Sequence, residues 1–174
     1  GPKLDFMFKD ALGREIQIPT VQLDFATPKR FGLFYIDENG EKQAPVMVHR
    51  AVLGSYERFL VLLLEQFKGV LPVWVSPVQV NIIPVNMKYH DDYCKKIFGL
   101  LNEEEIRVSY DDSKENMSKK IRRSNVMKNP YTIIIGDNER DNNLISYRKY
   151  GSEETYSMSI EEFIKFIKEE IKRR

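Results

Sequence analysis

Three groups of residues in this sequence have types and spacings that chemistry could use. Lys3 and Asp5, and then Thr20, Gln22 and Asp24, recur at period two, so each set shares one face of a strand. A third stretch alternates Met47, His49 and Ala51 with Val46, Val48 and Arg50. If these strands pair, one sheet face gathers lysine, glutamine, threonine and histidine above an apolar floor, a surface suited to a small charged ligand. Ordinary solvent-facing strand residues have the same periodicity. His49 has no second His or Cys at metal-ligand spacing, and an isolated strand histidine is more often structural than a ligand. His90, set among Tyr89, Asp91 and Asp92 at a helix start, is expected at the surface. Arg58 follows Gly54 and Ser55 in the first turn of a helix. There the unpaired N–H groups and a guanidinium fork suit phosphate or carboxylate, although Glu57 and Glu65 offer it ordinary ion pairs. The third group is basic: Lys114, Lys119, Lys120, Arg122, Arg123 and Lys128 face a single acid, Glu115. Arg148 and Lys149, interleaved with Tyr147 and Tyr150, add charge and stacking faces. This mixture suits unstacked RNA bases better than duplex DNA, and a plain lysine-rich surface is the competing reading.

The elements that must position these groups differ between the two halves of the chain, with the break near Gly69-Val70-Leu71-Pro72. The first half reads as short strands. Leu4, Phe6 and Phe8 alternate with Lys3, Asp5 and Met7, and Val21, Leu23 and Phe25 form the apolar face of the second strand. Phe31 to Ile36 and Val46 to Ala51 flank Asp37-Glu38-Asn39-Gly40, which predicts a hairpin. Ser55 as N-cap, Glu57 in the first turn and Gly69 beyond the end predict a helix from about Tyr56 to Phe67. The second half alternates strand and helix. Strands are expected at Val78 to Val85, Ile106 to Tyr110, Tyr131 to Ile135 and Leu144 to Tyr150, the last two joined by an Asn142-Asn143 turn. Helices are expected at Tyr89 to Leu101, at Asn116 to Met127, and after Ser159, where Ile160, Phe163, Ile164, Ile167 and Ile171 form one stripe. The β-α-β-α-β-β-α order implies a small α/β domain with a mixed sheet.

Composition bounds the rest. The 174 residues are 42% hydrophobic and 30% charged, as expected of a packed globular protein. Lys plus Arg total 27 against 26 for Asp plus Glu, a net charge of +1, which opposes binding of a polyanion by the whole surface but permits a local basic patch. No apolar run approaches the ~18 residues of a membrane span. The single Cys94 excludes an internal disulfide framework. The chain opens within a strand pattern without an initiator Met, and is expected to be a piece of a longer protein.

The stretch Val46-Met47-Val48-His49-Arg50-Ala51-Val52-Leu53-Gly54-Ser55-Tyr56-Glu57-Arg58 resembles the third signature motif of class II aminoacyl-tRNA synthetases, in which a strand leads into a helix presenting an Arg to ATP. Gly1-Pro2-Lys3-Leu4-Asp5, Asp10-Ala11-Leu12-Gly13-Arg14, Thr20-Val21-Gln22-Leu23-Asp24-Phe25 and Pro77-Val78-Gln79-Val80 look like the threonyl-tRNA synthetase family in the same order. The resemblance implies an antiparallel-sheet remnant of a class II catalytic domain over residues 1–72. It implies a small α/β anticodon-binding domain with a mixed sheet over residues 73–174.

On this resemblance Arg58 would grip the triphosphate of ATP and stabilise charge as the threonine carboxylate attacks the α-phosphate. Gln17 and Thr20 would contact ATP and its Mg2+, while Lys3, Gln22 and Ser55 would line the threonine and adenylate pocket. His49 matches one of three Zn2+ ligands, where zinc holds the amino and hydroxyl groups of threonine. Valine lacks that hydroxyl and would leave a polar site unpaired. Ile18-Pro19 departs from the Cys-Gly often found there. Lys114, Arg122, Glu139 and Arg148 match positions that read anticodon bases, with Lys114 in place of the usual Asn. The first two class II motifs, the other zinc ligands and any editing domain would lie upstream, so the fragment is expected to be inactive alone. The implied setting is a homodimeric, cytoplasmic enzyme that charges tRNA(Thr), with no membrane or DNA partner. The alternative is a non-catalytic RNA-binding paralogue of the same modules.

Overall fold

The computed structural model describes residues 1–173, which form two units, Gly1–Lys68 and residues 69–173. In the first unit β1 (Lys3–Lys9), β2 (Glu15–Asp24) and β5 (Met47–Ala51) make an antiparallel sheet in the order β1-β2-β5. Between β2 and β5 come a single turn of helix, α1 (Thr27–Arg30), and a two-stranded ladder of β3 (Tyr35–Ile36) with β4 (Lys42–Gln43). Helix α2 (Tyr56–Gln66) follows β5, with the Ser55 hydroxyl accepting the Arg58 N–H at its start.

The expected hairpin around Asn39-Gly40 is therefore partly wrong. The turn closes only the short β3–β4 ladder, and Met47–Ala51 pairs instead with β2. The long strand β2 offers five residues of register to β5 and an apolar partner face, which the brief local ladder cannot match. The same apolar face of this sheet carries Leu4, Phe6, Phe8 and Val48, all about half exposed. Among the described residues of this unit only Asp10, Ile18 and Pro28 are buried. An apolar hollow of about 580 Å³ lies between that face and α2, lined by Phe8, Ile18, Leu53, Phe59, Leu62 and Leu63 among others.

The second unit is a five-stranded mixed sheet in the order β10-β9-β8-β6-β7. Its elements in chain order are β6 (Val80–Pro84), α3 (Met87–Glu103), β7 (Val108–Tyr110), α4 (Met117–Val126), β8 (Tyr131–Ile135), α5 (Asp137–Asn142), β9 (Leu144–Lys149), β10 (Tyr156–Ser159) and α6 (Ile160–Lys172). Strand β6 runs parallel to both β7 and β8, while β9 and β10 run antiparallel. One sheet face buries Val80, Ile82, Ile133, Ile135 and Ile145 against Ile97 and Leu101 of α3 and Phe163 and Ile167 of α6, all essentially inaccessible. Each such side chain contributes about 1.5–3 kcal/mol by leaving water. Tyr147 joins this core, its ring centroid 5.1 Å from that of Phe163, so it is not a stacking face for RNA. The capping box of Ser159 with Glu162 starts α6, as the Ser159 reading required.

Two local expectations fail here for one reason. The segment read as an Asn142-Asn143 turn is preceded by helix α5, whose polar sequence carries no apolar period. That helix lies over His90, which is buried, not exposed: its Nδ1 accepts the Asn86 N–H at 3.1 Å, and its Nε2 lies 3.2 Å from Asp137 Oδ1. No helix among the described residues is long and apolar enough to cross a membrane.

Candidate functional site

In the first unit the cross-strand register assembles the polar face that the period-two pattern suggested. Lys3 stands opposite Gln22 and Gln22 opposite His49, which makes one row across three strands, and Asp5, Thr20 and Ala51 form the next. Directly opposed residues share a sheet face. Gln17 has the wrong parity to join them in a regular strand. Between the Asp5–Thr20 and Met7–Gln17 pairs, however, two residues of β2, Ile18 and Pro19, oppose only Phe6. This bulge resets the parity, and Pro19, which has no N–H to donate, is tolerated in it. As a result Gln17 Nε2 and Thr20 Oγ1 both donate to Asp5 Oδ1, at 2.7 and 2.8 Å, while Lys3 Nζ lies 3.0 Å from Asp5 Oδ2. The Thr20 hydroxyl bond and the Lys3 ammonium hold the Asp5 carboxyl below the usual carboxylate range.

Arg58 reaches this sheet from α2. Gly54, at φ +65°, makes the tight entry to the helix, and Arg58 Nη1 points to the Gln17 carbonyl oxygen at 3.5 Å. Neither Glu57 nor Glu65 pairs with it; the Glu65 carboxylate instead accepts the Ala11 N–H. The guanidinium is exposed, and apart from the Gln17 carbonyl it bonds no described residue. The side chain of Gln22 bonds no other described residue.

His49 Nε2 lies 3.0 Å from Asp24 Oδ2. Asp24 is held far below its ordinary range, first by the Thr27 hydroxyl, then by the Thr27 N–H, His49 and the Ala26 N–H. Nothing in the sequence pattern announced this clamp, beyond an Asp placed three residues before a Thr. Among the described residues no group of three or more His, Cys, Asp or Glu could hold a metal ion. His49 with one carboxylate does not make up a tetrahedral zinc site, so the residues present do not by themselves fit zinc.

In the second unit the face of the sheet opposite the core mixes Ile83 and Ile134 with a polar row. Ser109, Asn81, Thr132 and Arg148 stand in one row across β7, β6, β8 and β9. Helix α4 lies over this face, its Ser124 hydroxyl 2.7 Å from that of Thr132. The basic run divides into two populations. Lys120 is 1% exposed and donates to the Asp111 carbonyl oxygen at 2.9 Å, and Arg123 pairs with Asp111 at 3.0 Å and also with Glu115. The helix surface is thus less basic than the sequence suggested. Lys114 and Arg122 remain exposed, and neither bonds another described side chain.

Arg148 Nε donates to Thr155 Oγ1 at 2.8 Å and leaves its terminal nitrogens free. It lines a hollow of about 310 Å³ with Asn125, Thr132, Tyr150 and Glu153. Glu139 is engaged at both oxygens, accepting the Gly136 N–H at 2.8 Å and the Ser146 hydroxyl at 2.7 Å. Each oxygen keeps a second lone pair for a further donor.

Residues 79–170 match the family described as "Anticodon binding domain", and residues 1–67 match "tRNA synthetase class II core domain (G, H, P, S and T)". The chain is 49% identical over 173 residues to a threonine–tRNA ligase of Ureaplasma parvum serovar 3, which covers 99% of this chain and 30% of that relative. It is 44% identical over 174 residues to a threonine–tRNA ligase of Francisella tularensis subsp. novicida, 100% of this chain and 27% of the relative. The chain thus spans under a third of the length of these curated relatives. The crystal structure of the RNA binding domain of threonyl-tRNA synthetase from Cryptosporidium parvum Iowa II superposes with a TM-score of 0.86 at 35% identity. It covers 97% of this chain and 43% of that one. With more than half its length in the anticodon-binding family and residues 1–67 in the class II core, the chain belongs to the threonyl-tRNA synthetase family, as a segment that joins part of a catalytic core to an anticodon-binding domain.

Proposed function

We propose that this chain serves a threonine–tRNA ligase, with residues 1–72 contributing to the threonine and ATP site and residues 73–174 holding the anticodon loop of tRNA(Thr). One geometric observation carries the reading: Lys3, Gln22 and His49 stand in one cross-strand row, and the exposed guanidinium of Arg58 reaches the Gln17 carbonyl of the same strand β2. In activation, a carboxylate oxygen of threonine attacks the α-phosphorus of ATP. An acyl-phosphate bond forms and pyrophosphate leaves with the electrons of the broken P–O bond. Arg58 supplies positive charge where negative charge builds on the phosphates, fixed beforehand by the Ser55 cap and the Gly54 turn. Gln17 and Thr20, held together by Asp5, offer the nucleotide a preorganised polar edge, and Mg2+ would arrive with its phosphates. Lys3, Gln22 and Ser55 would hold threonine and the adenylate. Zinc at His49 would need ligands from outside these residues, and no step here depends on it.

The open apolar face of the first sheet supports a role within a larger catalytic core, homodimeric in the whole enzyme and working in the cytoplasm. The isolated chain should neither exchange pyrophosphate in a threonine-dependent way nor bind zinc tightly. For the second unit, Lys114, Arg122, Glu139 and Arg148 would meet splayed anticodon bases, each stacked or bonded base contributing ~1–3 kcal/mol. The test is titration of the chain with a tRNA(Thr) anticodon stem-loop and with mismatched loops. Arg122→Ala and Arg148→Ala should each weaken binding and lower the preference for the matched loop, a lost base contact erasing preference and a lost phosphate contact flattening the salt dependence. Equal binding of all loops by the unaltered chain would defeat the reading.

A further inference from the structure

Residues 111–115 leave the end of β7 and carry Lys114, while α4 carries Arg122, and several bonds tie the two together. Lys120 Nζ, sealed from solvent, donates to the Asp111 carbonyl oxygen at 2.9 Å. The Asp111 carboxylate accepts the Ser113 N–H at 3.1 Å and pairs with Arg123 at 3.0 Å. Arg123 also donates to the Ser113 hydroxyl and pairs with Glu115. Asp111 itself is anchored to the sheet by its N–H, which donates to the Ile82 carbonyl oxygen at 3.0 Å.

A lysine is rarely this buried, because its ammonium loses hydration that one carbonyl does not fully replace. Placing it there costs stability, and its geometric effect is to fix the backbone from which Lys114 projects. An ordinary solvated lysine could neutralise phosphate equally well from the helix surface. We propose that Lys120, with Asp111, is a positioning residue for RNA binding: the buried ammonium and the Asp111–Arg123 pair hold residues 111–115 against α4. Lys114 and Arg122 then meet the anticodon loop in fixed relation. This rests on the anticodon-binding reading above.

The clamp makes a prediction opposite in sign to electrostatics. Asp111→Asn removes a negative charge from a surface that meets a polyanion, so charge alone would tighten RNA binding. Loss of positioning would weaken it and lower discrimination between loops. The experiment titrates the chain, Lys114→Ala, Asp111→Asn, Lys120→Met and the Asp111→Asn/Lys114→Ala pair with matched and mismatched anticodon stem-loops, and circular dichroism confirms folding. Asp111→Asn is expected to bind the matched loop about fivefold more weakly, and Lys114→Ala to add little once Asp111 is changed, because an unplaced lysine has little left to lose. Lys120→Met should behave alike if it folds; if the buried change unfolds the chain, the Asp111 variants decide. Tighter or unchanged binding by Asp111→Asn, or effects of the two substitutions that multiply independently, would overturn the proposal. Failure of the unaltered chain to prefer the matched loop would instead defeat the anticodon reading itself.

Discussion

Gly54 and Ile18 touch backbone to backbone: a Cβ on Gly54 would sit 2.9 Å from the Ile18 carbonyl oxygen and 3.3 Å from its Cα. Ile18 belongs to the bulge that brings Gln17 onto the polar face, so the turn into α2 is seated on the irregularity that shapes the site. Arg58 reaches the Gln17 carbonyl from that seat. Gly13 is the natural control, since it has a similar φ of +77° with nothing near its missing Cβ. Gly13→Ala should cost only the left-handed backbone penalty, about 1–2 kcal/mol. Gly54→Ala adds the overlap with backbone that cannot swing away, and should cost at least ~1 kcal/mol more. Denaturant unfolding of both variants checks this, and equal destabilisation would mean that the close approach carries no cost.

His49 should hold one tautomer. The Asp24 carboxylate stays charged through the bonds from Thr27, so the imidazole is the donor at Nε2, with Nδ1 free. Long-range proton–nitrogen NMR of the chain at pH 8 should show a protonated Nε2, and Asp24→Asn should shift the ring toward a mixture of tautomers. A ring already mixed in the unaltered chain would break the Asp24–His49 link.

Much of this was legible because it is local. Ser55 and Ser159 announced their helices through cap chemistry, and the period-two set Thr20, Gln22 and Asp24 gave its strand face directly. Gln17 could not be placed by period, since the bulge that carries it over is a pairing property of β1 with β2. It entered only through resemblance. The β2–β5 pairing was hidden for the same reason: Asn39-Gly40 signals a turn but not how many residues pair beyond it. Lys120 reads as surface charge although it stands four residues before Ser124, the other buried position of α4. A charged residue on the inward stripe of an otherwise polar helix leaves no hydrophobic signal to mark it. His90 was misplaced because α5, which covers it, has no apolar pattern of its own.

Cys94 should be inert while the chain is folded. It is wholly inaccessible in the core of the second unit, and burial pushes its thiol up to about 12. The thiolate is the reactive form, so at pH 8 iodoacetamide should modify Cys94 only as fast as the unit opens. Denaturant should restore the rate of a free thiol. Rapid alkylation under native conditions, measured by mass spectrometry, would contradict the packing of α3 against the sheet.

Glu139 links the start of α5 to β9, and its carboxylate should make that link sensitive to acid. Burial works to raise its pKa, and is outweighed by the Ser146 hydroxyl and the Gly136 N–H, so the group is held below the usual carboxylate range. Its unfolded value is near 4.3. The folded chain therefore binds fewer protons than the unfolded one in this range, so the stabilisation is fully present above the unfolded value. It is lost as pH falls through the lower folded one. Glu139→Gln keeps the shape but turns an acceptor for two donors into an amide with one acceptor oxygen. Urea unfolding should find this variant less stable than the unaltered chain at pH 7 by about 1.5–3 kcal/mol, the range for hydrogen bonds to a charged group. The difference should shrink as pH is lowered below 4. A difference that stays constant from pH 7 to pH 3 would show that the charge of Glu139 plays no part in holding α5 to β9.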